Sequence, residues 1–513
     1  ARPHSDRLLS EIGGLLGRIT KSLEDFRHPA AERQFHWNLD QVEQTITLYR
    51  GSVENFPAID SFLERYRSRV LPQLGGLRKS VIQNDANDHN LVVRSQNCWP
   101  QAVVGLIDFG DVVFASTINE LAICVAYVML EKDDPLWAAA QVVRGYHEEF
   151  LLAESELEVL FDLARARLFC SVVMAAHQRQ LQPTNEYLSV TDEPARRLLK
   201  KLENIDSDFA ACYFQRVCDF LPIDDADFEP AKTGVIKQRR IVKQWLVRNQ
   251  ESIHPIFSSP FGCENTLVFD LGVSSPTALL GDELKAGHLD LQHRLESEGF
   301  EFGLGRYCEP RVCYQGDQYR TCEDPAAELR SIHIGMDVFV REGAPVFAPL
   351  DSTIHSFANN DLAFDYGPTI ILQHCLPDGA RFYTLYGHLS GDSLNNCRVG
   401  MSVAAGERFA TVGNENENGG WPPHVHFQII TNMLGKHGDF PGVASPRELA
   451  VWNQLSPDPN WILKVPEELL KSSEMDDQER FVIRKGQPGQ MESAEIMERR
   501  KTFLNPSLSL SYD

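Results

Sequence analysis

The spacing of apolar positions changes twice along this chain, from helical to strand-like and then to no clear period. Residues 8–26 repeat apolar side chains at helical spacing, and a second helical stretch runs through Phe62 and Tyr66. Two short apolar runs then flank a polar loop, Val81-Ile-Gln-Asn-Asp85-Ala-Asn-Asp-His-Asn90-Leu-Val-Val. A fully apolar run, Ala102-Val-Val-Gly-Leu-Ile107, ends in Asp108-Phe109-Gly110. From Asn119 to Leu202 the period is helical throughout, and Leu157, Leu160, Phe161, Ala164, Leu168 and Val172 form a stripe that predicts a core face. Ser252 to Phe261 is rich in Pro and Ser and reads as a linker. Strand-like runs begin at Leu267 and fade after Gln428 into short helices and turns. The pattern predicts a multidomain α+β chain, mostly helical first and strand-rich afterwards.

Length and composition narrow the function classes. The 513 residues suffice for two to four domains, and 43% hydrophobic with 24% charged residues is ordinary for a globular protein. A formal net charge of −23 argues against nucleic-acid and anionic-membrane partners, which select basic surfaces. The basic stretch from Lys232 to Lys243 is local and reads as the solvated face of a linker helix. No run is long enough to span a membrane, and Ala1-Arg-Pro-His4 carries no apolar signal region. The missing initiator Met leads us to expect a fragment. Eleven cysteines are thinly spread, and the spacing of Cys308, Cys313 and Cys322 matches no zinc knuckle. Free thiols fit a reducing compartment, and the cytoplasm is the expected location.

Candidate metal chemistry is concentrated between Ser331 and Phe427. His333 and Asp337, four apart, share a face if both lie in one strand, and His424 and His426 share a face two apart. Tyr386-Gly-His388 lies between them. Zinc accepts imidazole nitrogen and carboxylate oxygen, and a catalytic site keeps three protein ligands with one open position. Two histidines and an aspartate fill three positions, and two histidines remain to move protons. The order H-x3-D, Y-x-H and H-x-H resembles the M23 (lysostaphin-like) metallopeptidases, as do Gly343–Leu350, Gly367–His374 and Val399–Gly406 around it. The resemblance implies an antiparallel β domain, Zn2+ held by His333, Asp337 and His426, and catalytic roles for His388 and His424 on a peptide or amide substrate. Trp421-Pro-Pro stands where that family has small residues, which bears on the shape of the groove.

The earlier motif points to phosphoryl transfer, which needs a carboxylate to receive a hydroxyl proton and an Asn and an Asp to hold magnesium. Asn84-Asp85 with Asn90, followed by Asp108-Phe-Gly, resembles the aminoglycoside phosphotransferase and choline-kinase group, hydroxylysine-kinase-like members above all. The resemblance implies Asp85 as catalytic base, Asn90 and Asp108 as ligands of Mg2+ on ATP, and a small amino alcohol as substrate. Gln83 replaces that group's usual His and is expected to brace the loop. No glycine-rich phosphate loop or strand lysine precedes Asp85, and Gly13-Gly-Leu-Leu-Gly17 sits in a helical pattern, so a C-lobe without its nucleotide N-lobe is expected.

The expected organisation is therefore a mostly helical kinase-like C-lobe over 1–225 and a helical linker over 226–264. An M23-type domain follows over 265–447, with 265–330 as its lead-in, and then a tail over 448–513. Ile496 to Tyr512 resembles the opening of class III aminotransferases, whose pyridoxal phosphate would belong to a domain beyond this sequence. A multifunctional enzyme follows, with a zinc hydrolase beside an incomplete kinase. The competing expectation is a β domain that is a non-catalytic scaffold, and a homo-oligomer is left open.

Overall fold

The computed structural model describes residues 4–53, 56–94, 102–182, 192–220, 234–273, 291, 293–314, 316–322 and 327–470. The aminotransferase-like stretch Ile496–Tyr512 lies outside them. The chain divides into two compact units, Ala1–Gly234 and Val235–Asp513. Among the described residues no helix is long and apolar enough to cross a membrane. The described cysteines, Cys308, Cys313 and Cys322 among them, are free thiols.

The first unit is helical around two small two-stranded sheets. Ser5 caps α1 (Asp6–Leu23) by accepting the Leu8 N–H at 3.2 Å. Helices α2 (Val42–Tyr49) and α3 (Ala58–Arg69) follow. Strand β1 (Lys79–Ile82) pairs antiparallel with β4 (Val113–Ser116), and β2 (Leu91–Arg94) with β3 (Ala102–Leu106). Then come α4 (Ile118–Val128), α5 (Pro135–Glu149), α6 (Glu154–Leu181), α7 (Asp192–Leu202) and α8 (Ser207–Val217). The expected stripe on α6, from Leu157 to Val172, is buried. The glycine cluster of α1 is a seam against α5. A Cβ on Gly13 would stand 2.0 Å from the Val142 carbonyl oxygen, and one on Gly145 2.0 Å from that of Ser10.

The second unit opens with α9 (Gly234–Arg248). Expected to be a solvated linker, it buries Val242 and Leu246 completely. Ile253, Ile256, Phe257 and Phe261 join them in the unit's main core. The stretch after 234 is thus packed, because its apolar positions fall on one helix face and then on successive turns under the sheet. An eight-stranded sheet follows in the order β14-β11-β12-β13-β16-β9-β6-β5. Its strands are β5 (Thr266–Val268), β6 (Phe302–Gly305), β9 (Met336–Phe339), β11 (Ser352–Asn360), β12 (Gly367–Cys375), β13 (Arg381–Gly387), β14 (Ser402–Val403) and β16 (His424–Ile430). Every pairing is antiparallel except β5 with β6. A small sheet sets β8 (Ile332–His333) between β7 (Glu309–Pro310) and β17 (Val443–Ala444), and β10 (Pro345–Phe347) pairs with β15 (Arg408–Thr411). Helix α10 (Leu449–Leu455) follows, where the Thr431 N–H donates to the Leu455 carbonyl at 2.8 Å, and Ile462, Leu463 and Val465 beyond it join the main core.

Candidate functional site

The candidate metal residues arrive from two sheets. His333 lies on β8, opposite Val443 and Glu309 in the small sheet. Asp337 lies on β9 in the large sheet, opposite His426 on one side and Gly305 on the other. The expectation that His333 and Asp337 share one face of one strand is therefore corrected: the chain changes sheets at Ile334-Gly335. Gly335 permits this crossing, since a Cβ there would stand 2.4 Å from the His426 ring. His424 and His426 do share a face of β16. His388 follows β13 with φ +61°, a left-handed conformation that costs a non-glycine residue energy and recurs at functional sites.

Three ligand atoms converge. His333 Nε2 lies 2.9 Å from His426 Nδ1, and Asp337 Oδ1 lies 3.2 Å from the first and 3.1 Å from the second. The three residues are buried, and their ligand atoms all fall within 4.8 Å of one another. The remaining ring nitrogens face outward: His333 Nδ1 to the Arg306 carbonyl at 3.3 Å, His426 Nε2 to Gln428 Oε1 at 3.0 Å. With protons on those outer nitrogens, two imidazole lone pairs and a carboxylate oxygen point at one spot. That donor set fits Zn2+. Burial pushes His333 down to about 3, with Arg311 adding to it, so its imidazole is neutral. Burial alone would raise Asp337, but the Arg311 guanidinium beside it holds it well below the usual carboxylate range.

Arg311 fixes the other face of Asp337. Its Nη1 donates to Asp337 Oδ2 at 2.5 Å and its Nε to Glu309 Oε2 at 2.9 Å, and all three side chains are buried. His388 and His424 stand opposite, with ring centroids 4.1 Å apart. Each commits Nδ1 to a backbone carbonyl, Asn418 at 2.9 Å and Pro422 at 2.6 Å, so Nε2 is the nitrogen left for chemistry. Burial pushes both imidazoles below their ordinary value. A cavity of about 1180 Å³ opens on these groups, walled by Tyr314, Tyr319, Phe364, Tyr366 and Trp421.

In the first unit, Asp85 sits in the loop between β1 and β2. Its Oδ1 accepts from buried Arg167 Nη2 at 2.9 Å, and its Oδ2 accepts from Asn87 Nδ2 at 3.0 Å and Asn90 Nδ2 at 2.9 Å. Burial raises Asp85, against the lowering by Arg167. The Ile107 N–H donates to the Asn90 carbonyl at 2.9 Å, which brings Asn90 and exposed Asp108 to one end of the β2–β3 hairpin. With Asn90 Nδ2 donated to Asp85, its Oδ1 is the atom left for a cation. Gln83 accepts the Asp85 N–H at 2.9 Å and donates to the Asp108 carbonyl at 2.5 Å, a brace between the two acids.

Residues 331–437 match peptidase family M23. Residues 1–169 match the phosphotransferase enzyme family. A hydroxylysine kinase of Xenopus laevis is 34% identical over 39% of this chain and 56% of its own length, and that of Mus musculus 30% identical over the same shares. The chain thus spans little more than half of these curated relatives. An uncharacterized metalloprotease of Haemophilus influenzae is 35% identical over 20% of this chain and 19% of its own. The catalytic domain of lysostaphin from Staphylococcus simulans is 27% identical over 23% of this chain and 80% of that one, at a TM-score of 0.18. Two stretches of one chain are thus similar to two families, residues 1–169 to the phosphotransferase enzyme family and residues 331–437 to peptidase family M23.

Around the M23 motifs the structure adds residues the sequence reading missed. Gln428, two residues past His426 on the same face, was within reach of the strand period. Arg311 lies in a charged stretch, residues 306–311, whose spacing suggests no partner, and Asn418 and Tyr366 carry no signal. In the phosphotransferase domain Arg167 was read only as part of a helix.

Proposed function

We propose that the M23 domain is a zinc-dependent hydrolase of amide bonds. What supports this reading most is the meeting of His333 Nε2, Asp337 Oδ1 and His426 Nδ1 at one buried point on a cavity wall, with two further imidazoles facing it. Zinc, when bound, supplies Lewis acidity and activates water for attack on a carbonyl carbon. His333, Asp337 and His426 would hold it, Asp337 through the oxygen that Arg311 leaves unclaimed. His388 and His424 would take the proton from the attacking water and pass it to the leaving nitrogen through Nε2. The experiment is metal analysis of protein purified without chelator or tag, beside the double variant His333→Ala, Asp337→Ala. A single zinc lost in the variant is expected. His388→Ala should keep the metal while peptide hydrolysis falls by about 10²–10⁴-fold. A native protein that takes up no zinc on reconstitution overturns the reading.

The phosphotransferase domain, once completed by a nucleotide-binding N-lobe, is proposed to move the terminal phosphate of ATP onto the hydroxyl of a small amino alcohol such as hydroxylysine. The supporting observation is the braced pair of Asp85 and Asn90 beside Asp108. Asp85 would receive the hydroxyl proton, and Asn90 with Asp108 would hold Mg2+. Labelled-phosphate transfer to hydroxylysine, abolished by Asp85→Asn, tests it. No transfer with ATP and Mg2+ once a nucleotide-binding N-lobe is joined ahead of this chain would leave the domain without its proposed activity.

A further inference from the structure

Among the described residues, two polar atoms on the cavity wall have no hydrogen-bond partner, the Tyr366 hydroxyl and Trp421 Nε1. Both residues are only 9% exposed. A third such atom, Arg311 Nη2, packs against Gly305, and the rest of that guanidinium is committed to Glu309 and Asp337. Buried donors without acceptors cost stability, so their persistence at a cavity wall calls for an explanation.

The Tyr366 ring is held in place. It fits between Gly387 and Gly442, where an added Cβ would stand 2.7 Å from its Cδ1 and 2.0 Å from its hydroxyl oxygen. Its N–H donates to Asp365 Oδ1 at 2.7 Å and its carbonyl accepts the His388 N–H at 2.8 Å. The ring centroid lies 5.0 Å from that of His426 and 5.8 Å from that of His388. Trp421 is fixed from the other side. Asn418 brackets its backbone with two hydrogen bonds of 3.0 Å, and the indole lies edge-on to Phe364 at 5.3 Å. Its centroid is 6.2 Å from His388 and 6.4 Å from His424. The two rings therefore flank the imidazoles, Tyr366 beside His426 and His388 and Trp421 beside His388 and His424.

We propose that Tyr366 is a further catalytic residue and Trp421 a positioning residue of the amide hydrolysis proposed above, on which this inference rests. The phenol donates to the oxygen of the cleaved carbonyl as it gains negative charge, and the indole N–H donates to a neighbouring carbonyl. The cleft then takes an acyl chain with a second carbonyl beside the cleaved bond, a peptide or N-acylamino acid, in preference to a lone primary amide. Water adds to the carbonyl carbon, the C–N bond breaks, and the nitrogen leaves as an amine carrying the water's proton. The phenol keeps its own.

Calorimetric titration separates this from a structural role. A short N-acetylated glycyl peptide, which has no side chain to clash, and its phosphinic analogue, which carries a tetrahedral oxyanion, are titrated into native protein, Tyr366→Phe and Trp421→Phe. Zinc is measured on the same samples. Tyr366→Phe should lose about 10²-fold in affinity for the phosphinate and little for the peptide, as expected of a donor matched to developing charge. Trp421→Phe should weaken both probes about tenfold, and zinc content should not change. Zinc uptake with unchanged phosphinate affinity in Tyr366→Phe, or zinc-loaded native protein that binds neither probe, overturns this inference alone. Native protein without zinc overturns the hydrolase reading and this inference with it.

Discussion

Arg311 holds two buried carboxylates at once, Glu309 and Asp337, and among the described residues nothing else of opposite charge is bonded to its guanidinium. Replacing it by Met leaves Asp337 buried without its cation and Glu309 with only Arg306 at 3.8 Å, which costs about 3–5 kcal/mol. Urea unfolding of metal-free Arg311→Met should register that loss, and zinc affinity should drop about 10–100-fold as the carboxylate loses its fixed orientation. Equal stability would mean that the ion pair contributes nothing. A second residue-scale prediction concerns Glu120, whose Oε2 accepts the N–H groups of Gln83 and Asn84 at 2.6 and 3.1 Å. Burial raises it to about 7 from an ordinary 4.5. A raised folded-state value means that its stabilising share is full below the unfolded value and is lost as pH climbs through about 7. Glu120→Gln keeps an acceptor and removes the titration. Its unfolding free energy relative to native should improve by about 3 kcal/mol between about pH 4 and pH 8. A constant difference would refute it. At this scale the sequence was legible where neighbours in space are neighbours in sequence, as with His424 and His426. It was silent on Arg311, because its partner Asp337 is 26 residues away and is reached only across strand register.

Among the elements, α1 and α5 touch through glycines, so their axes can lie closer than side chains would allow. Gly13→Ala adds a methyl 2.0 Å from the Val142 carbonyl oxygen. Alanine favours an isolated helix by about 1 kcal/mol, yet here the helices must part, at about 1–3 kcal/mol. Chemical unfolding should therefore show Gly13→Ala less stable than native, and an increase would mean that the seam has slack. The sequence showed that Gly13–Gly17 was helical and no phosphate loop, but not which helix it would meet, since that is a tertiary choice. The spacing of His333 and Asp337 was legible for a reason that does not hold. They meet because β8 and β9 belong to different sheets joined at Gly335, not because they share a strand.

On the scale of the whole molecule, the change of hydrophobic period marked the two units, while the segment from 235 to 264 was harder to read. Its Pro, Ser and basic residues dominate the composition, whereas Val242, Leu246, Ile256 and Phe257 decide its packing. Each unit has its own core, and the metal residues belong to the second. Calorimetric scans with excess zinc and with chelator should therefore move one unfolding transition and leave the other in place. The shift should correspond to about 4 kcal/mol when free zinc is a thousandfold above its dissociation constant. Two transitions moving together would contradict the assignment. The long separation within the ligand set has a consequence for biosynthesis. His426 follows His333 by 93 residues. At about 5–20 residues per second on the ribosome, His333 and Asp337 emerge about 5–20 s before the ligand that completes them. During that interval the nascent chain offers a passing ion only two of its three donors, so metal capture becomes a late event of synthesis.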